Sequence, residues 1–216
     1  MLKKLMYISQ GENQETQLLN ISKALDSGCN CIQIRYKNRS ESEVLQLTEQ
    51  AKKMISNFPD VTLIINDHPR VALLTDAHGV HLGLADSPVK EARALLGAHK
   101  IIGGTANTID NLLQRIAEGC DYIGLGPYRY TPTKEKLSPI LGLTGYQNLF
   151  RQLKELNMTP PAVYAIGGIL PEDLEALMQT GIYGIAFSGL LSQHPNPTEL
   201  MDILRKKTHE TLEYSR

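Results

Sequence analysis

Two basic residues close a short apolar segment, and their spacing indicates a site for an anion. The segment runs from Cys31 to Lys37, with Gln33 between two isoleucines and Arg35 between Ile34 and Tyr36. Side chains alternate faces along a strand, so Gln33, Arg35 and Lys37 point to one side and the isoleucines to the other. Because unpaired charges inside a fold are costly, the pattern predicts either a bound anion or ion pairs with carboxylates of neighbouring strands.

Acidic residues follow two further apolar segments. Asn66 and Asp67 come directly after residues 63–65, and Asp86 comes shortly after residues 80–83. If these segments are neighbouring parallel strands, both aspartates lie on one rim, where carboxylates and the phosphates of a substrate are typical ligands of Mg²⁺. The alternative is that each aspartate caps the helix that follows it.

A third group of candidates lies in the second half of the chain and offers phosphate-binding chemistry. The longest connection, residues 126–141, carries threonines and a lysine, and long connections in compact domains are usually functional or disordered. Adjacent glycines at 167 and 168 allow backbone N–H groups to approach an anion. The alternatives are a polar surface loop and a tight turn. The candidates of this group are Thr131, Thr133, Lys134, Gly168 and Ser188.

The hydrophobic pattern predicts the framework that positions these residues. Short apolar segments alternate with segments of helical spacing eight times in 216 residues. Such alternation implies a parallel sheet, and eight units favour a closed (βα)8 TIM barrel, as a single domain over residues 1–216. The loops after the strands then carry the chemistry. The predicted strands are 5–9, 31–36, 62–65, 79–82, 100–104, 122–125, 162–166 and 183–187.

The composition excludes several classes of protein. The 22 basic and 23 acidic residues give a net charge of −1, which favours neither a nucleic-acid nor a membrane partner. No apolar run approaches the roughly 18 residues of a membrane span. The three cysteines form no Cys-x-x-Cys pair, and the N-terminus lacks the apolar core of a secretion signal, so the sequence favours the cytoplasm. Whether the chain forms a homo-oligomer stays open.

Short motifs in a specific order carry a resemblance to a known family. They are residues 33–37, residues 65–67, residues 79–83 with Asp86, residues 124–134 and residues 165–169. On these motifs the chain resembles the thiamine-phosphate synthase (thiamine-phosphate pyrophosphorylase) family from about Met6 to His194. The resemblance implies a transferase that condenses 4-amino-2-methyl-5-hydroxymethylpyrimidine diphosphate with a thiazole phosphate, giving thiamine phosphate and pyrophosphate.

The resemblance also implies a role for each candidate residue. Arg35, Lys37 and Lys134 would stabilise charge on the pyrophosphate, which leaves before the thiazole nitrogen attacks a pyrimidine cation. Asp67 and Asp86 would hold Mg²⁺. The pyrimidine diphosphate would be bound by Gln33, Arg35, Lys37, Asn66, Thr105 and Lys134. The thiazole phosphate would be bound by Thr131, Thr133, Gly168 and Ser188.

Some positions depart from the family's usual pattern, and two other functions stay open. Leu84 stands where relatives usually carry Gln, and His78 stands where an acidic residue is usual. His81 is interpreted as a packing residue rather than as a ligand or base. A related class keeps the barrel but tautomerises the thiazole phosphate, and a third hypothesis is a phosphate-binding barrel without catalysis. The intact pair of Asp67 and Asp86 favours the synthase.

Overall fold

Eight parallel strands close into a barrel and follow one another around it in chain order. The computed structural model describes residues 2–130 and 139–213, and these residues confirm the predicted (βα)8 fold class. The strands are β1 (Leu5–Ile8), β2 (Cys31–Ile34), β3 (Thr62–Asn66), β4 (Gly79–Leu82), β5 (Ile101–Ala106), β6 (Tyr122–Leu125), β7 (Ala162–Ile166) and β8 (Gly184–Phe187). The helices are α1 (Gln14–Asp26), α2 (Glu41–Ile55), α3 (Pro69–Leu74), α4 (Val89–Leu96), α5 (Ile109–Ala117), α6 (Gly142–Glu155), α7 (Leu174–Gln179), α8 (Gly189–Ser192) and α9 (Pro197–Glu213).

Several helices begin at the residues that the sequence signals indicate. The Asn13 side chain accepts a hydrogen bond from the Thr16 backbone N–H at 2.8 Å and so caps α1. Ser40 and Glu43 form a capping box at the start of α2, a pattern that the sequence Ser-x-x-Glu signals. Helix α8 has no counterpart in the sequence prediction. Its four residues are too few to show a helical period.

The apolar core has two layers, one on each side of the barrel wall. The inner layer includes Met6, Cys31 and Tyr164, and the layer between barrel and helices includes Ile32 and Ile34. Cys31 therefore faces the barrel interior, while Ile32 and Ile34 face the helices. This confirms the predicted alternation along β2, which directs the polar side chains of the strand into the barrel.

Three tyrosines fill the part of the barrel nearest the strand N-termini. The rings of Tyr122 and Tyr164 meet edge to face at 5.4 Å between centroids, and those of Tyr164 and Tyr183 meet at 5.5 Å. Gly103 makes room for this column, because a Cβ there would lie 2.1 Å from Cζ of Tyr122. The Tyr183 hydroxyl donates to the Leu2 carbonyl at 2.7 Å. The tyrosines thus form a floor below the cavity at the opposite end.

Two sequence expectations concern cysteines and membrane spans. Cys29, Cys31 and Cys120 are all buried and carry free thiols. Burial raises the pKa of the Cys29 thiol to about 11, so this thiol is protonated at neutral pH. Among the helices of the described residues, none combines the length and apolar character that crossing a membrane requires.

Candidate active site

A cavity of about 490 Å³ opens at the carboxyl ends of the strands. An adjoining cavity of about 410 Å³ shares the rim formed by Lys37, Asn66, Asp67 and Asp86. Polar residues from four neighbouring strands or their loops therefore converge at one end of the barrel, as the sequence predicts. The predicted site residues that line the larger cavity are Gln33, Arg35, Lys37, Asn66, Asp67, Asp86 and Thr105.

The two aspartates of the rim lie together with Lys37. The Lys37 ammonium forms an ion pair with Oδ2 of Asp67, and the two carboxyl groups share a hydrogen bond. Asp86 also accepts a hydrogen bond from the Gly83 backbone N–H at 2.6 Å. Neither α3 nor α4 begins with a side-chain cap, so the interpretation of the aspartates as helix caps is wrong.

Burial and mutual contact shift the pKa values of the two aspartates in opposite directions. For Asp67, burial and the hydrogen bond with Asp86 outweigh the attraction of Lys37 and raise the pKa to about 6. For Asp86, burial raises the pKa, but the hydrogen bonds from Asp67 and from the Gly83 N–H lower it by more. The pKa of Asp86 therefore lies below its usual value. Two carboxyl groups held this close repel each other when both are ionised, and a bound cation would relieve that repulsion.

The main chain at Arg35 is fixed from two sides. Its N–H donates to the Ser9 hydroxyl at 3.0 Å, and its carbonyl accepts from the Gln17 side-chain amide at 3.0 Å. The loop after β1 and helix α1 therefore hold the end of β2, where Arg35 lines the cavity. Lys37 forms an ion pair with a carboxylate of a neighbouring strand, which is one of the two predicted alternatives for the cations. Its side chain is also exposed at the rim, so it remains accessible to an anion.

A hydrogen-bonded network lies deeper in the cavity. The ring nitrogens of His81 lie 3.0 Å from the Tyr122 hydroxyl and 3.0 Å from the Thr105 hydroxyl. The Gln33 amide donates to the same Tyr122 hydroxyl at 3.4 Å. His81 is therefore hydrogen-bonded like a packing residue, but it also lines the cavity. Tyr122 is a site residue that the sequence did not reveal, because a tyrosine starting a strand is typical of a core position.

Arg115 on α5 is a second residue that sequence reasoning missed. Its guanidinium is buried and donates to the carbonyls of Gly83 at 2.8 Å and Thr105 at 3.1 Å, and it pairs with Glu118 at 2.7 Å. Gly104 allows this approach, because a Cβ there would lie 2.6 Å from Cδ of Arg115. The arginine thus joins the ends of β4 and β5.

Comparison with known proteins decides the family. A sequence model of the family described as "Thiamine monophosphate synthase" matches residues 5–191. The chain belongs to the thiamine monophosphate synthase family. It is 53% identical over 207 residues to a thiamine-phosphate synthase of Flavobacterium psychrophilum, covering 96% of this chain and 100% of that protein. It is 48% identical to the thiamine-phosphate synthase of Flavobacterium johnsoniae, covering 97% and 98% of the two chains.

A solved structure agrees with this membership. Thiamine phosphate pyrophosphorylase from Pyrococcus furiosus superposes with a TM-score of 0.81 at 26% identity, covering 97% of this chain and 96% of that one. The predicted family and the predicted enzyme class, a transferase, are therefore confirmed, and small-molecule substrates follow from the family. Membership of the thiamine monophosphate synthase family is also consistent with a metal cofactor.

The third group of predicted residues lies on the β6–β8 side of the barrel mouth. Gly168 and Ser188 follow the neighbouring strands β7 and β8, but neither lines the 490 Å³ cavity as the described residues bound it. The other predicted members of this group, Thr131, Thr133 and Lys134, lie outside the described residues. Their assignments to thiazole phosphate and to pyrophosphate stay predictions.

The two departures from the usual family pattern have different positions. Leu84 lines the large cavity beside Asp86, so its lack of an amide changes the wall of the site. His78 precedes β4 at the far end of the barrel, where its Nδ1 accepts a hydrogen bond from the Leu63 N–H at 3.0 Å. In such barrels that end contributes to stability and the opposite end to chemistry. The expected departure at His78 therefore lies at the end of the barrel that contributes to stability.

Proposed function

We propose that this site condenses 4-amino-2-methyl-5-hydroxymethylpyrimidine diphosphate with a thiazole phosphate, releasing pyrophosphate and forming thiamine phosphate. The observation that carries the proposal is the cluster of Lys37, Asp67 and Asp86 on the rim of a cavity that Gln33 and Thr105 also line. A diphosphate on this rim meets a cation and a carboxylate pair suited to a metal ion. A tautomerase requires no such diphosphate site.

The large cavity is divided in a way that fits the pyrimidine substrate. Its inner wall includes Met6, Ile8 and Tyr122, which suit a flat ring, with the Gln33 amide among them for hydrogen bonding. Its rim carries the charged side chains. We assign the ring to the inner part and the diphosphate to the rim, because ligand sites combine apolar walls with a few placed polar groups.

The donor set of the rim fits Mg²⁺. Mg²⁺ binds oxygen ligands and usually takes one or two carboxylates together with substrate phosphates. Asp67 and Asp86 offer two carboxyl groups side by side, with the amide of Asn66 on the same rim. Among the described residues, no three His, Cys, Asp or Glu side chains are placed so that they could hold a metal ion by themselves, so phosphate oxygens and water would complete the coordination. Bound there, Mg²⁺ would stabilise charge on pyrophosphate.

The protein's own residues act mainly by electrostatics in the proposed reaction. The bond between the pyrimidine methylene carbon and the diphosphate oxygen breaks, and its electron pair leaves with the pyrophosphate. Arg35, Lys37 and Lys134 would stabilise the negative charge that develops there. The thiazole nitrogen then supplies the electron pair of the new carbon–nitrogen bond. No protein nucleophile takes part in this proposed reaction.

A product assay tests the proposed function. The purified chain is mixed with both substrates, with Mg²⁺ or with a chelator, and thiamine phosphate and pyrophosphate are measured. Formation of both products in equal amounts, dependent on Mg²⁺, supports the proposal. Tight binding of the thiazole phosphate without product would favour the tautomerase or a binding protein instead. The cytoplasmic location, the homo-oligomer and the domain limits 1–216 stay predictions.

A further inference from the structure

An ion pair joins the connection after β6 to the turn after β7. Both terminal nitrogens of Arg129 donate to the Asp173 carboxylate, one of them at 2.6 Å between Nη2 and Oδ1. The Asp173 side chain is only 7% exposed, and it also accepts hydrogen bonds from the Leu170 N–H at 2.8 Å and the Tyr128 hydroxyl at 3.3 Å. A bidentate pair fixes geometry as well as adding free energy.

The same arginine holds a turn made of two glycines. Its Nη1 donates to the Gly168 carbonyl at 2.9 Å, and its backbone N–H donates to the Gly167 carbonyl at 2.8 Å. Gly168 has a φ of 66°, and a Cβ there would lie 2.7 Å from Cβ of Arg129. The turn is therefore packed closely against the connection that carries Arg129.

Electrostatics keeps the pair charged. Burial raises the pKa of Asp173, but the hydrogen bonds from Arg129 and from the Leu170 N–H lower it by more. The pKa of Asp173 therefore lies below its usual value. The pKa of Arg129 is raised by the same contact. Both partners are thus ionised at neutral pH.

We propose that the Arg129–Asp173 pair is a positioning pair that fixes the Gly167–Gly168 turn for binding of the thiazole phosphate. Glycine has the widest backbone freedom of any residue, so a turn of two glycines must be ordered by other groups or lose entropy when it binds a ligand. Arg129 acts through Gly168 and contacts no reacting atom. The inference rests on the proposed function, which assigns the thiazole phosphate to this turn.

The test is a split between two Michaelis constants in thiamine phosphate formation. We expect Arg129→Gln to raise the KM for the thiazole phosphate about tenfold, since hydrogen bonds to charged groups are lost. The KM for the pyrimidine diphosphate should stay within about twofold, because its rim lies on other strands. Asp173→Asn should give the same split. The double variant should be little worse than either single variant, because both remove one contact.

Matched variants distinguish positioning from stability. Arg93→Gln removes another arginine–aspartate pair, with Asp121 at 2.6 Å, at the far end of the barrel; it should lower Tm and leave both KM values unchanged. Arg129→Lys keeps the charge without the bidentate geometry and should give an intermediate KM; it also provides the test if Arg129→Gln does not fold. If Arg129→Gln lowers Tm as Arg93→Gln does but leaves the thiazole phosphate KM unchanged, the inference is wrong.

The same experiment separates this inference from the proposed function. If the unaltered chain forms no thiamine phosphate, the proposed function fails. The pair is then tested by calorimetric titration of the thiazole phosphate into the unaltered chain and into Arg129→Gln. Weaker binding to the variant supports the positioning role, and equal binding or no binding to either protein overturns it.

Discussion

The two sides of the barrel mouth hold their functional groups in different ways. On the β2–β5 side, reactive side chains are held by other side chains, as Asp67 is held by Lys37 and Asp86. On the β6–β8 side, the backbone of Gly168 is held by the Arg129 guanidinium. A substitution on the first side removes a chemical group, whereas one on the second side moves a backbone. We therefore expect effects on kcat from the first side and on KM from the second.

The largest effect is expected from Asp67→Asn. The variant loses half of the carboxylate pair that we propose faces the leaving pyrophosphate, so kcat/KM should fall by about 10³-fold or more. Binding of the thiazole phosphate, measured by calorimetry, should change little because its site lies across the mouth. Unchanged kcat/KM would remove the metal assignment and with it the chemical distinction between the two sides.

Asp60→Asn is the matched control for that experiment. Asp60 precedes β3 and Asp67 follows it, both have a positive φ, of 58° and 65°, and each pairs with a lysine. Asp60 lies at the end of the barrel away from the cavity. Its loss should leave kcat/KM unchanged, since exposed ion pairs contribute little to stability.

Arg115→Met should have the next largest effect, and it acts on stability as well as on activity. The variant leaves the carbonyls of Gly83 and Thr105 and the Glu118 carboxylate without their buried partner. The free energy of unfolding should fall by about 3 kcal/mol, as for other broken buried pairs, when measured by urea denaturation. Arg151→Met, which breaks a largely exposed pair on α6, should cost less than about 1 kcal/mol. Equal losses of stability in the two variants would show that Arg115 does not stabilise the β2–β5 side of the barrel mouth.

The β6–β8 side of the barrel mouth is tested by Gly168→Ala. Its φ of 66° disfavours any other residue, and the new Cβ would lie 2.7 Å from that of Arg129. Gly119→Ala is the control, because Gly119 has a φ of 74° but no atom within 4 Å of the new Cβ. Both variants should lose about 1–2 kcal/mol of stability from the backbone conformation. Gly168→Ala alone should raise the KM for the thiazole phosphate, by about tenfold; equal KM values in both variants would contradict the assignment of this turn.

The same comparison explains what the sequence could predict. Alternation along a strand and the placement of loops at strand ends are local rules, and they were enough to bring Gln33, Arg35 and Asp67 to one cavity. These local rules could not decide whether Asp67 caps a helix or faces the site, because a residue in either role follows a strand and precedes a helix. The absence of a side-chain cap on α3 decides it.

The residues that sequence reasoning missed depend on contacts between distant parts of the chain. Arg129 and Asp173 are 44 residues apart, and Gln33 and Tyr122 are 89 residues apart. No local period links such positions. Arg115 stands on an amphipathic helix, where an arginine normally belongs to the exposed face. Only the close packing of Gly104 against it shows that the guanidinium is buried between two strands.

Thr105→Val should have the smallest effect, and it tests a single hydrogen bond on the β2–β5 side of the barrel mouth. The Thr105 hydroxyl lies 3.0 Å from a ring nitrogen of His81, whose other nitrogen contacts the Tyr122 hydroxyl. Its loss leaves one end of this network unbonded, so kcat/KM should fall about fivefold to tenfold, which corresponds to one neutral hydrogen bond. Thr105→Ser keeps the hydroxyl and should retain nearly full activity. If the two variants are equally active, the network packs the barrel without orienting substrate. The functional groups of the β2–β5 side would then be Lys37 and the aspartates of the rim.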